Sequence, residues 1–184
     1  MDGLSRDEFS LPERLTGALG RSAAAGRIGA AQEAIYGPVI DWARRTPLHS
    51  GTLGHSVHPM LTDVTLGCWL SAAILDIAGG PASRPAATVL TAAGLAAAVP
   101  TAFAGAADWS ETEGEEHRIG AVHALGTDAA TFLFLGSLIA RLRGRHAAGV
   151  RLGLAGNAVA AAAGFLGGHL ALNRGTARRS AAAV

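Results

Sequence analysis

Apolar residues fall along this chain in four long runs separated by short polar joints. The first, residues 60–78, is interrupted only by Asp63 and Asp76. The second, residues 86–107, carries no charge. The third, residues 119–140, has only His123 and Asp128 as ionisable side chains, and the fourth, residues 152–172, has only His169. A helix needs roughly 17–25 apolar residues to cross the hydrocarbon of a bilayer. Helices of soluble domains average about 11–12 residues and keep a polar face. The pattern predicts an all-α fold, an integral membrane four-helix bundle with one helix per run.

The joints agree with that reading. Gly79-Gly80-Pro81 ends the first run and Pro85 opens the second. Arg141, Arg143 and Arg145 close the third; Arg174, Arg178 and Arg179 close the fourth. Trp109, at the end of the second, suits a membrane–water boundary. Pro100 inside the second run predicts a kink, and Gly164 with Gly168 forms a G-x-x-x-G that permits close helix contact. Upstream, residues 22–45 read as an amphipathic helix with Ile28, Ala31, Ile35 and Trp42 near helical spacing and a kink at Gly37-Pro38. Lying in the membrane interface and packing on the bundle are both open to it. The expected organisation is a polar tail plus this helix over 1–47, with 1–21 poorly ordered, a four-span domain over 48–175, and a disordered tail over 176–184.

Composition sharpens the picture. Only 16% of residues are charged, against about a quarter in soluble domains. Small Ala and Gly dominate and aromatics make up 5%, which favours close helix approach over a bulky core. A net charge of +1 gives no pull toward nucleic acid. The single cysteine, Cys68, rules out an intrachain disulfide or a thiolate cluster. The start, with Asp2, Asp7 and Glu8 and no apolar core, does not read as a cleavable signal peptide, so the later apolar runs are expected to direct insertion. No nucleotide-binding, hydrolase or H-E-x-x-H motif is present, so no catalytic residue is assigned and an enzyme is not the expected class.

Threading four antiparallel spans brings both termini and the joint between the second and third spans to one side. His58, His123 and His169 then lie at similar depth there, with Asp63 and Asp108 at the same end. Intramembrane ionisable groups face the bundle interior with a partner. Imidazoles from facing helices can hold a haem iron axially, and glycines flank the pair His123 and His169 as a flat macrocycle requires. Ala158, Ala161 and Ala162 would wall the slot. The alternative is a Zn, Cu or Fe ion held by His58, His123, His169 and Asp63 or Asp108. A purely structural polar cluster with no cofactor stays open beside both. His55 and His117 read as interfacial, and His49 and His146 as loop residues. Asp76 is expected to pair with Arg84 or Arg151, and Asp128 to point inward with Asn157 as its neighbour.

Several short segments resemble one family in order and spacing: Leu53-Gly54-His55-Ser56-Val57-His58-Pro59-Met60-Leu61-Thr62-Asp63, Leu75-Asp76, Ala107-Asp108-Trp109, Val122-His123-Ala124-Leu125 and Gly167-Gly168-His169-Leu170. Together they resemble a bacterial membrane family catalogued as domain of unknown function 2231. The resemblance implies four membrane helices and no assigned activity. Some relatives carry a Rieske iron–sulfur domain, which implies electron transfer with a separate redox protein as partner here. The expectation is therefore a multi-pass protein of the bacterial inner membrane with cytoplasmic termini. It would be a redox subunit with haem b, a metal-binding or ion-handling protein, or a structural subunit of a membrane complex.

Overall fold

A computed structural model describes residues 10–46 and 56–176. The described residues are helical, with short turns and no strand. Helices α1 (Leu11–Gly20) and α2 (Ala23–Ala43) precede four long ones: α3 (His58–Ala78), α4 (Arg84–Trp109), α5 (Gly114–Leu142) and α6 (His146–Gly168). A π-helical turn, His169–Asn173, extends α6. These four helices are long and apolar enough to cross a membrane, at the four positions where the apolar runs predict spans. Many of their large side chains point outward, including Ile77 at 73%, Phe132 at 71% and Leu142 at 72% exposure. Hydrocarbon, not water, is the medium in which such a surface is stable.

Around the bundle, α3 neighbours α4, α4 neighbours α5, α5 neighbours α6, and α6 closes on α3. Helices α3 and α5 therefore face each other diagonally across the centre. Midway along it, Trp69 of α3 stacks on Phe134 of α5, ring centres 3.9 Å apart and planes at 13°. Each ring lies where a glycine of the next helix lacks a side chain, Trp69 against Gly94 and Phe134 against Gly156. The end of the bundle away from the chain termini is closed by a buried ion pair. The Arg141 guanidinium grips both oxygens of Asp76, with exposures of 1% and 4%. Ser137 supports it by accepting from Arg141 Nε at 3.1 Å and donating to the Gly149 carbonyl at 2.6 Å. This corrects the expectation that Asp76 pairs with Arg84 or Arg151. Arg141 stands beyond the apolar run, yet its long side chain turns back into the bundle to reach the acid.

Two expectations about the N-terminal region also change. Residues 11–20, read as part of a poorly ordered tail, form α1. Glu13 folds back to accept from the Ser10 amide and hydroxyl, both at 2.8 Å, which satisfies the first turn. Arg118 Nη1 donates to the Gly20 carbonyl at 3.0 Å and fastens the end of α1 to α5. The first nine residues, the segment 47–55 with His49 and His55, and residues 177–184 lie outside the described residues. Helix α2 packs on α4 and α5 through Ala25, Gly29, Ile40 and Ala43. The stripe read from the sequence is only partly turned inward: Ile35 is 68% exposed, and Trp42, 50% exposed, meets Phe103 of α4 with one edge. The helix thus packs on the bundle mainly with its small residues and keeps much of its larger apolar surface outward, as an interfacial helix does. It runs unbroken through Pro38, just as α4 runs through Pro100.

Candidate functional site: a histidine pair on the bundle axis

His58 opens α3 behind Ser56, whose hydroxyl accepts from the His58 amide at 3.2 Å and donates to the Asp108 carboxylate of α4. Pro59 occupies the first turn, where its missing N–H costs nothing. The imidazole turns inward onto α4. Its Nδ1 lies 2.9 Å from the Thr101 carbonyl oxygen, and its ring covers Gly105, where an added Cβ would come within 2.7 Å of Cε1. His123, in the second turn of the α5 span, is held in the same way against α6. Its Nδ1 lies 2.7 Å from the Ala163 carbonyl, and its ring covers Gly167, where a Cβ would come within 2.8 Å of Cε1.

A carbonyl oxygen can only accept, so Nδ1 carries a proton in each ring; in a neutral imidazole that makes Nε2 the unprotonated nitrogen. Among the described residues neither Nε2 has a hydrogen-bond partner. The two rings face each other across the bundle, centres 6.4 Å apart and planes at 86°. Small residues back each ring, Thr101 and Gly105 at His58 and Ala163 and Gly167 at His123, and the Thr101 hydroxyl meets that of Thr65 at 3.1 Å. Anchoring one ring nitrogen on a backbone carbonyl is the usual way of fixing the other as a metal ligand.

The other sequence-derived candidates are arranged differently. His169 opens the π-helical turn; its Nε2 is buried with no hydrogen bond among the described residues, and its ring makes no contact with the rings of His58 or His123. Asp63 lies on the outer face of α3. Asp108 accepts from the Ser56 hydroxyl, which in turn accepts from the His58 amide. Among the described residues no three His, Cys, Asp or Glu side chains form a metal-holding group. Ala158, Ala161 and Ala162, expected to wall a slot, are exposed on the outside of α6. The inner face is Gly156, Ala160, Ala163 and Gly167, because one residue of error in phase turns a helix by about 100°.

Asp128 does not point inward to Asn157. It takes a 3.3 Å hydrogen bond from the Tyr36 hydroxyl of α2, while Asn157 donates to the Trp69 carbonyl at 3.4 Å and to the Gly153 carbonyl at 3.1 Å. The Tyr36 phenol is pushed above its ordinary pKa, first by the Asp128 charge and then by burial. His117, expected at the interface, links three helices. Trp109 stacks on it at 4.3 Å and donates to its carbonyl at 2.9 Å, and its Nε2 lies 3.4 Å from Glu33. The Thr101 and Ala163 carbonyls that set the imidazoles were missed from the sequence. One signal was available: His-x-x-x-Thr-Asp occurs twice, at His58–Asp63 and His123–Asp128.

No curated protein and no solved structure matches this sequence. A family model does match, over residues 54–179, which takes in all four spans and both histidines of the pair. The chain belongs to the family described as "Predicted membrane protein (DUF2231)".

Proposed function

We propose that this integral membrane protein is a redox-associated subunit in which His58 and His123 hold one transition-metal centre near the membrane face that carries the chain termini. The observation that carries this reading is the pairing of two imidazoles from diagonal helices, each with Nδ1 engaged by a carbonyl and Nε2 left for a ligand. Two ring nitrogens from α3 and α5, on rings whose centres lie 6.4 Å apart, are the donor set that would hold such a centre. His169 makes no contact with these rings, so the ligand pair becomes His58 with His123, not His123 with His169.

A b-type haem is the first form of this centre. When bound it would supply one-electron chemistry at a potential set by two neutral imidazoles in a site of low polarity. The protein's share is to fix both rings against helix backbone and to hold the Nδ1 protons on backbone oxygens. A bare copper, iron or zinc ion is the second form, favoured by the close seating of both rings on helix backbone at Gly105 and Gly167. An absorption spectrum and elemental analysis of the detergent-purified protein, from cells replete in haem and metals, test both. A Soret band lost in His58→Ala and His123→Ala supports haem. Stoichiometric metal without that band, lost in the same variants, supports the ion. A colourless and metal-free protein contradicts the proposal.

A further inference from the structure

The contacts across the bundle centre follow one rule. His58 meets His123, Trp69 meets Phe134, and Asp76 meets Arg141. Each pair is 65 positions apart (123 − 58, 134 − 69, 141 − 76). The partners of these residues on the following helices keep their own spacing. Gly94 under Trp69 corresponds to Gly156 under Phe134, and Gly105 under His58 to Gly167 under His123, both 62 apart (156 − 94, 167 − 105). Thr101 and Ala163, whose carbonyls hold the imidazoles, share that spacing of 62 (163 − 101). Residues that touch their own equivalents lie on a twofold axis. Since α3 and α5 both run away from the side that carries the termini, this axis runs along the membrane normal. The four spans are two copies of one helical hairpin, α3–α4 and α5–α6.

The repeat makes an unfilled place visible. Helix α2 sits on the outer face of the α4–α5 side through two aromatic anchors. Tyr36 donates to Asp128, and Trp42 meets Phe103 edge-on at 5.3 Å. Applying the same offsets, Asp128 corresponds to Asp63 of α3 and Phe103 to Phe165 of α6. The same two residue types stand in the same two places on the other side. There nothing among the described residues covers them: Asp63 is exposed without a hydrogen-bond or ion-pair partner, and Phe165 is 48% exposed. Beside them, Cβ atoms added at Gly67, Gly164 and Gly168 would meet open space, so a helix can approach closely.

We infer that this face of α3 and α6 is a second helix seat, built like the one α2 fills, and that its occupant is an amphipathic helix of a partner protein with α2's chemistry. That helix would place a tyrosine hydroxyl on Asp63 and, six residues later as in Tyr36 and Trp42, an indole edge against Phe165. The intramolecular seat shows what this pair of anchors recognises, and α2 itself is already committed to Asp128 and Phe103.

A synthetic peptide of residues 22–46 with photo-leucine in place of Val39 serves as the probe, added to the full chain in phosphatidylcholine–phosphatidylglycerol nanodiscs. The expected result is a one-to-one adduct on α3 and α6 around Asp63 and Phe165. It should weaken by about tenfold or more, the effect of roughly 1.4 kcal/mol, in the double variant Asp63→Asn, Phe165→Ala. Both positions are exposed, so the variant's fold and its histidine site should be unchanged. Adducts confined to the Asp128 and Phe103 side, adducts to lipid alone, or labelling indifferent to the double variant would overturn the inference. So would a peptide-independent cross-link between Asp63 regions of two copies, which would make a second copy the occupant.

Discussion

The two hairpins share a scaffold and differ in what is attached to it. Helices α3 and α5 each send one histidine, one large aromatic ring and one charged residue to the bundle centre, at the same intervals. At the end carrying the chain termini the equivalent residues are identical, two histidines. In the middle they are alike, Trp69 and Phe134. At the far end they are opposite, Asp76 and Arg141. A twofold axis forces each residue against its counterpart, and two carboxylates there would repel, so a charged pair is stable only when the halves have diverged. Neutral imidazoles face no such penalty, so like residues can meet on the axis. The outer surfaces have diverged as well: α1 and α2 cover the α5 side, whereas among the described residues no helix covers the face with Asp63 and Phe165.

Exchange experiments between the halves sharpen this comparison. The largest effect is expected at the ion pair. Asp76→Ala or Arg141→Ala leaves a buried charge without its partner and should cost about 3–5 kcal/mol. The exchanged protein, Asp76→Arg with Arg141→Asp, should recover more than half of that loss, as read from unfolding in mixed detergent. If the exchange is as harmful as the two single changes summed, the two positions are not equivalent.

Next come the glycines beneath the histidines. Gly105→Val and Gly167→Val should each displace a ring and cost ~1–3 kcal/mol through overpacking, with similar losses of bound metal or haem in the two variants. A large effect at one glycine and none at the other would break the symmetry of the site. Swapping the stacked rings, Trp69→Phe with Phe134→Trp, conserves volume and should cost less than about 1.5 kcal/mol. Tyr36→Phe removes one hydrogen bond from the clothed half and should cost roughly 0.5–1.5 kcal/mol.

The smallest effect belongs to the cap of α1. The Glu13 carboxyl is held below its ordinary pKa, first by the Ser10 hydroxyl and then by the Ser10 amide. A lowered folded value means that the stabilisation is complete above the unfolded glutamate pKa and disappears as pH falls through the folded one. Hydrogen exchange in α1 should therefore accelerate across that acidic window in the native protein and show no such step in Glu13→Gln.

The fold was legible because hydrocarbon imposes a simple code. Runs of about 20 apolar residues give spans whatever their neighbours do. The depth of His58 and His123 was legible for the same reason, since depth follows from position along a helix. Which way each side chain points was harder. The spans are apolar on nearly every face, so no polar stripe fixes the phase, and the outward-facing Ala158, Ala161 and Ala162 could not be told from the inward-facing Ala160 and Ala163. Asp76 was matched with the wrong arginine because Arg141 lies past the apolar boundary and its length conceals its reach. Helix α1 escaped notice because its stability comes from one cap and from contacts with α5. The repeat itself leaves few identical letters, His-x-x-x-Thr-Asp above all, since its other axial pairs have changed character.

Electron paramagnetic resonance of the detergent-purified protein, loaded with equimolar Cu(II), tests the shared histidine site most directly. A single centre coupled to two imidazole nitrogens is predicted, lost in both His58→Ala and His123→Ala and unchanged in His169→Ala. A signal that survives in either of the first two variants, or vanishes in the third, would contradict a site made jointly by the two hairpins.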